Sequence, residues 1–328
     1  MNPRRGAIRM RGEAELVEAC LAGARAGGAD TESLVLGPGD DAAILRPPPG
    51  HDLAWSSDEQ VEDVHFRRLW GEALGYSALG SKAAGASLSD LAAMGARPLG
   101  ALFSLRLPAD LVEHAEALGR GVGAQLAAVG CPLAGGNLAR AERLGLTIDV
   151  LGALPEGRSL RRSTAQPGDA LYVSGSLGWA ALGLAWLEAR KDPGDPDAAR
   201  AVEAICRPRP RIELGQRLLE LSRVACLDLS DGLARDSCRL ASASGVRLEF
   251  ESALIPGPAE GLLPGLDPAE LAWGGGEDYE LLIAGPASEL EGMEGLIRVG
   301  VVVCGEGVLR DGQLTSGGGH DHFPTGAS

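Results

Sequence analysis

Lysine is almost missing from this chain: among 328 residues only Lys82 and Lys191 occur. Neither stands in a G-x-x-x-x-G-K-[ST] loop, which excludes a Walker A phosphate site. A Val-Ala-Ile-Lys strand and an Asp-Phe-Gly triplet are also absent, which excludes a protein kinase. Any phosphate charge must be met by a metal, by arginine or by backbone N–H groups. Aromatic residues make up only 4%, so the core must rest on Ala, Leu and Val. The six cysteines (20, 131, 206, 226, 238 and 304) form no C-x-x-C pair. That pattern argues against a zinc site or a dense disulfide framework and predicts free thiols in a reducing cytoplasm. The arginine-rich start, with Arg4, Arg5, Arg9 and Arg11, has no apolar run of a signal peptide. The most apolar stretch, Trp179 to Leu187, is far short of the roughly 20 residues that span a bilayer. A formal charge of −15 argues against nucleic acid as a partner.

What remains is the composition of a globular protein, 45% hydrophobic and 23% charged, with 48 glycines. Its acidic residues recur at the ends of short Gly- and Ser-rich blocks. These are Gly39-Asp40-Asp41, Ser56-Ser57-Asp58, Leu88-Ser89-Asp90, Asp228-Leu229-Ser230-Asp231 and Gly274-Gly275-Gly276-Glu277-Asp278. Taken singly, each is equally a turn or a helix cap. Taken together, they suggest carboxylates gathered by folding. Two such charges about 4 Å apart cost roughly 4 kcal/mol at an effective dielectric near 20. A cation relieves that cost, and Mg²⁺ usually arrives with a nucleotide's phosphates. Gly135-Gly136-Asn137 allows close approach of backbone to phosphate. Arg158, Arg161 and Arg162 form either a phosphate clamp or a solvated basic patch. His65, between Val64 and Phe66, has the neighbours of a structural histidine.

Apolar spacing predicts helices over 13–25, 72–94, 110–129, 177–190, 211–221 and 233–243. Short strands are predicted at 33–36, 42–45 and 53–55, with Ser56-Ser57-Asp58 at a strand end. Further strands are predicted at 99–107, 146–154, 170–173, 247–250, 279–283 and 296–303. Helices and strands mix in both halves, giving an α/β (α+β mixed) class. Pro155-Glu156-Gly157-Arg158 marks a boundary between domains at 1–154 and 155–328. Residues 192–197 read as a surface loop, and the Gly-rich tail from Ser316 as a mobile one.

The order of the blocks resembles the thiamine-monophosphate kinases, within the superfamily named for aminoimidazole ribonucleotide synthetase. The resemblance covers nearly the whole chain. It runs through Gly39-Asp40-Asp41-Ala42-Ala43, Ser57-Asp58, and Val61-Glu62-Asp63-Val64-His65-Phe66. It continues through Leu88-Ser89-Asp90-Leu91-Ala92-Ala93-Met94-Gly95-Ala96 and Arg162-Ser163-Thr164-Ala165-Gln166-Pro167-Gly168-Asp169. It closes with Asp228-Leu229-Ser230-Asp231-Gly232-Leu233 and Gly275-Gly276-Glu277-Asp278-Tyr279-Glu280-Leu281-Leu282. The resemblance implies two α/β domains, with the N-terminal ones pairing through their sheets in a homodimer. It implies direct transfer of the γ-phosphate of ATP to thiamine monophosphate, with several Mg²⁺ ions, as the last step of thiamine diphosphate synthesis.

By the same resemblance Asp41, Ser56, Ser57, Asp58, Asp90, Asp228 and Asp231 are metal ligands. Gly136, Asn137, Arg162 and Ser230 contact ATP, while His65, Glu277 and His320 contact thiamine monophosphate. Asp58, Asp90 and Arg162 serve catalysis. Two positions depart from the family pattern. Asn137 stands where an Asp is usual and brings no charge, and His320 stands where the family offers Trp or Tyr. The rival readings are a nucleotide-binding homologue that has lost catalysis, supported by Asn137, and another ATP-dependent enzyme of the superfamily. A selenophosphate synthetase would need a reactive Cys or selenocysteine and a Lys near the N-terminal glycine loop. A hydrogenase-maturation relative would end in a reactive Cys, whereas this chain ends Thr325-Gly326-Ala327-Ser328.

Overall fold

The computed structural model describes residues 12–25, 33–189, 196–262 and 264–315. The predicted tail, with His320, lies outside the described residues, as do 192–195 of the predicted loop, whose last two residues, Pro196 and Asp197, instead begin a helix.

The first half holds helix α1 (Glu13–Arg25), the small hairpin β1 (Leu34–Leu36) and β2 (Ile44–Leu45), and the long strand β3 (His51–Val61). Then come α2 (Arg68–Leu74), α3 (Tyr76–Met94), β4 (Arg97–Leu107), a 3₁₀ turn (Ala109–His114) and α4 (Ala115–Ala128). Strands β5 (Leu133–Arg140) and β6 (Gly145–Pro155) complete a four-stranded sheet in the order β3-β6-β4-β5. The second half begins with β7 (Ala170–Val173), α5 (Trp179–Ala189), α6 (Pro196–Cys206), α7 (Ile212–Leu219), β8 (Ala225–Asp228), α8 (Leu233–Ser244) and β9 (Arg247–Phe250). It ends with α9 (Pro268–Gly274), β10 (Leu281–Gly285), α10 (Ala287–Leu290), β11 (Ile297–Val303), β12 (Gly307–Arg310) and β13 (Gln313–Leu314). Its seven-stranded sheet has the order β13-β12-β9-β11-β7-β10-β8. Neighbours pair antiparallel except β12 with β9.

The mixed α/β class therefore holds. Several element bounds need correction, each for a local reason. The predicted 72–94 helix is two helices, broken at Gly75, whose φ of 88° no helical residue adopts. The first turns of the 110–129 helix are 3₁₀ rather than α. Ser56-Ser57-Asp58 is not at a strand end: β3 pairs with β6 over all its residues from His51 to Val61, carrying the motif through mid-strand. Strands β5, β8, β12 and β13 and helices α6, α9 and α10 escape the periodicity reading. Of these, β5 is Gly-rich, β8 and β13 are four and two residues long, and α6 begins at a proline in its first turn.

Scarcity of aromatics shapes the packing. Helices α3 and α4 approach so closely that a Cβ at Gly80 would stand 2.2 Å from the Leu118 carbonyl oxygen, and one at Gly121 1.9 Å from that of Ser77. Small residues thus replace bulk with backbone proximity. Helix α3 is almost wholly buried and packs on its own sheet and on β8 and α7 of the second half. One core runs from Leu88, Phe103 and Ile148 into Tyr172, Ile205 and Leu281, crossing the predicted boundary near 155. The opposite face of the first sheet stays open, with Leu53, Trp55 and Leu102 exposed. Among the described residues no helix is long and apolar enough to cross a membrane.

Candidate active site

A cavity of about 650 Å³ lies between the two halves, within the range that holds small-molecule ligands. Carboxylates reach it from separate segments: β3 gives Asp58, α3 gives Asp90, α5 gives Glu188, the end of β8 gives Asp228 and the β8–α8 connection gives Asp231. Ser57, Ser230, His65 and Glu277 line it too. Folding thus gathers eight of the expected site residues around one space.

Each is placed by local chemistry. Side chains alternate along β3, so Asp58 and Ser56 lie on the helix-covered face of the sheet. There the Ser56 hydroxyl donates to Asp90 Oδ2, pinning strand to helix. The Glu59 N–H donates to Asp58 Oδ1 at 2.8 Å. His65 closes a turn after β3, where the Val61 N–H donates to its Nδ1 at 3.0 Å and its own N–H donates to the Val61 carbonyl at 2.9 Å. The second Leu-Ser-Asp block and the triple-glycine loop are laced together by backbone bonds. Glu277 N donates to Ser230 O (2.8 Å) and Tyr279 N to Leu229 O (2.9 Å). Glycine is required where they touch: a Cβ at Gly276 would stand 2.7 Å from Ser230 O, and one at Gly232 2.8 Å from Gly274 O. Glu277 (φ 67°) and Tyr279 (φ 51°) both adopt the left-handed conformation, a strain that tertiary contacts must hold in place.

The electrostatics follow from crowding. Burial pushes the Asp58 carboxyl up to about 6, against the Glu59 N–H, and Asp90 adds to the rise. Asp228 is pushed up to about 7 by burial, helped by Asp90 and Asp236 and opposed by the nearby Ser89 hydroxyl. Asp90 is raised by burial and held back by Ser56 and by the Arg162 charge. Asp278, in the loop before β10, packs against the start of α5 and is pushed by burial to about 7, although the Gly178 and Ala180 N–H groups donate to it. Asp231 is tied differently: its N–H donates to Asp236 at 2.9 Å, and Arg239 bridges both carboxylates.

The donor set is all oxygen, which suits a hard divalent cation such as Mg²⁺. Among the described residues no three His, Cys, Asp or Glu side chains already converge as a metal cluster.

Other expected residues lie elsewhere. Asp41 is exposed in the β1–β2 turn, its N–H bonded to Asp40 Oδ1. Arg162 is close enough to lower Asp90 yet does not line the cavity. Gly136 and Asn137 are exposed on β5. Asn137 pairs with Ser104, Ser104 with Thr147 and Thr147 with Glu59, so Asn137 shares the open sheet face, opposite Asp58. His320 lies outside the described residues.

Sequence reasoning missed Lys82, which is buried and ion-paired to Glu277, and the Asp236–Arg239 pair. A signal for the first was available: a single lysine in an Ala-rich helix, eight residues before Asp90 and on its face.

Residues 39–154 match the AIR synthase related protein N-terminal domain and residues 166–307 its C-terminal domain. The chain belongs to that family. The thiamine-monophosphate kinase of Aquifex aeolicus (strain VF5) is 34% identical over 298 residues, 89% of this chain and 94% of that one. That of Escherichia coli (strain K12) is 36% identical over 307 residues, 88% and 92% of the two chains. A solved structure of AaThiL complexed with AMPPCP and TMP aligns at a TM-score of 0.79 and 32% identity, over 97% of this chain and 100% of that one. Within the AIR synthase related proteins, the chain is thus a member of the thiamine-monophosphate kinases. The hydrogenase maturation protein HypE, at 20% identity and a TM-score of 0.67 over 84% of this chain and 86% of that one, shares the fold.

Proposed function

We propose that this protein transfers the γ-phosphate of ATP to thiamine monophosphate in one in-line step, giving thiamine diphosphate. The observation that carries the proposal is the convergence of Asp58, Asp90, Asp228 and Asp231 on one cavity that also exposes His65 and Glu277. Polyphosphate belongs at the carboxylate end, through Mg²⁺ held by Asp58, Asp90, Asp228 and Asp231, with Ser56 beside them; the Ser57 side chain falls on the opposite, open face of β3. The metal supplies charge neutralisation of the transferring group. The residues do the rest. Ser56 fixes Asp90 against β3, the carboxylates set the position of the phosphates, and Arg162 adds positive charge near Asp90. The acceptor is already a phosphate ionised at neutral pH, so no strong general base is needed. His65 and Glu277 hold the organic part of the acceptor, with His320 as a further contact.

Asp41, Gly136 and Asn137 join the site in this proposal through a homodimer. The open sheet face exposes Leu53, Trp55 and Leu102 and also carries Asn137, so a second copy seated there would meet it. The reaction is placed in the cytoplasm as the last step of thiamine diphosphate synthesis. Incubation with ATP, Mg²⁺ and thiamine monophosphate should give thiamine diphosphate and ADP. Absence of product across a wide Mg²⁺ range, with ATP still bound, would overturn the proposal in favour of a binding protein.

A further inference from the structure

One side chain next to the site has no part in the scheme above. Lys82 is 1% exposed and lies inside α3. A buried ammonium is tolerated only when paired, because desolvating it costs several kcal/mol. Its Nζ donates to Glu277 Oε1, from one half of the chain to the other. Lys82, Ala86 and Asp90 follow at i, i+4 and i+8, so they share one face of α3. Ala86 and Asp90 line the cavity, whereas Lys82 stands behind its wall. Glu277, 24% exposed, is the side chain between Lys82 and the cavity. Its own backbone is held in the left-handed region by the bond to Ser230.

Glu277 also stands among like charges, since both it and Asp90 push the Asp58 carboxyl upward while Lys82 opposes them. Without a counter-charge on its far side, Glu277 would be repelled by these carboxylates or drawn to the cations that they hold. We propose that Lys82 is a positioning residue: it holds the Glu277 carboxylate at the acceptor's end of the cavity, apart from the metal-facing carboxylates. Resting on the kinase reading above, this makes Lys82 a determinant of thiamine monophosphate affinity and not of ATP affinity. The acceptor's thiazolium cation and aminopyrimidine N–H groups give a fixed carboxylate something to meet.

The test is calorimetric titration of the full-length protein with thiamine monophosphate and, separately, with a non-hydrolysable ATP analogue and Mg²⁺. Lys82→Met should weaken thiamine monophosphate about tenfold or more, while the nucleotide stays within about twofold. Glu277→Gln should do the same, and the double variant should be no worse than Glu277→Gln alone, because the two residues act as one unit. Equal loss for both ligands, unchanged acceptor affinity or additive losses would each overturn the inference. If Lys82→Met fails to fold, Lys82→Arg decides: it keeps the charge but moves the carboxylate, and should raise KM for the acceptor alone. An unchanged KM in that variant also overturns it. If the wild type does not bind thiamine monophosphate, the kinase proposal itself fails, and this one with it. Acceptor binding by wild type and Lys82→Met alike removes this inference only.

Discussion

The two faces of the N-terminal sheet carry the expected site residues in very different states. The helix-covered face brings Asp58 and Ser56 against Asp90, where the carboxyls are crowded and pushed upward by burial. The open face carries Asn137 with Ser104, Thr147 and Glu59, half-buried or exposed, beside the uncovered Leu53, Trp55 and Leu102. One strand, β3, serves both, because successive side chains alternate. Within one chain the cavity carboxylates are gathered on the covered side, whereas Gly136 and Asn137 of β5 stay exposed and apart from them. Mutations on the first face should therefore strike chemistry in a folded protein, and those on the second should strike assembly.

Asp58→Asn is the harshest test of the covered face. It should lower kcat/KM by roughly 10²–10³-fold, about 2.7–4 kcal/mol of transition-state stabilisation, as for loss of one preorganised electrostatic contact. Stability should not fall, because the replaced carboxylate is buried among like charges and Asn removes one of them. Thermal unfolding beside steady-state kinetics checks both halves. A lower melting temperature would make Asp58 a structural residue.

Trp55→Glu is the matching test of the open face. Trp55 is 74% exposed, so the change costs the isolated fold little. In a homodimer it would bury a charge in the interface, and sedimentation should show monomers. Activity should fall by about tenfold or more, although the cavity carboxylates are untouched. A fully active monomeric variant would show that the open face contributes nothing to the site.

The same contrast explains what could be read in advance. The class and the carboxylate blocks were legible because Asp next to Ser and Gly survives as a local signal whatever the fold does with it. Asp90 and Asp231 illustrate this: one sits in a helix and the other in a loop, yet the same Leu-Ser-Asp triplet marks both. Strand β5 was not legible, since Gly135 and Gly136 carry no β propensity and its pairing with β4 is set by distant residues. The role of Lys82 was not legible because its partner, Glu277, is 195 positions away, and its place on the Asp90 face of α3 was the one local sign of it. The break at Gly75 was hidden in an Ala-rich run whose composition favours helix on both sides.

Asn137→Asp is a milder change on the open face. It adds a carboxylate to the strand that would meet the second copy. The Mg²⁺ concentration for half-maximal rate should fall severalfold, with kcat changed by less than about twofold. An unchanged Mg²⁺ titration would show that this position holds no metal.

The smallest effect concerns protons, and it probes the crowded carboxyls of the covered side without any turnover. Asp58 sits at about 6 and Asp228 at about 7, against 3.8 for an unburied carboxyl. Folded-state values above the unfolded ones mean that, between roughly pH 4 and 7, the folded chain keeps protons that the unfolded chain has released. Each group therefore favours the fold most at the acid end of that window, and the advantage fades as pH rises through 6 to 7. Metal-free protein should melt about 2–4 °C higher at pH 6 than at pH 8 on this account, relative to an Asp58→Asn/Asp228→Asn variant that lacks both groups. Excess Mg²⁺ with an ATP analogue should erase most of the difference, because a bound cation supplies the counter-charge that a proton otherwise provides. A matching slope in the double variant would place the pH dependence outside these two carboxyls.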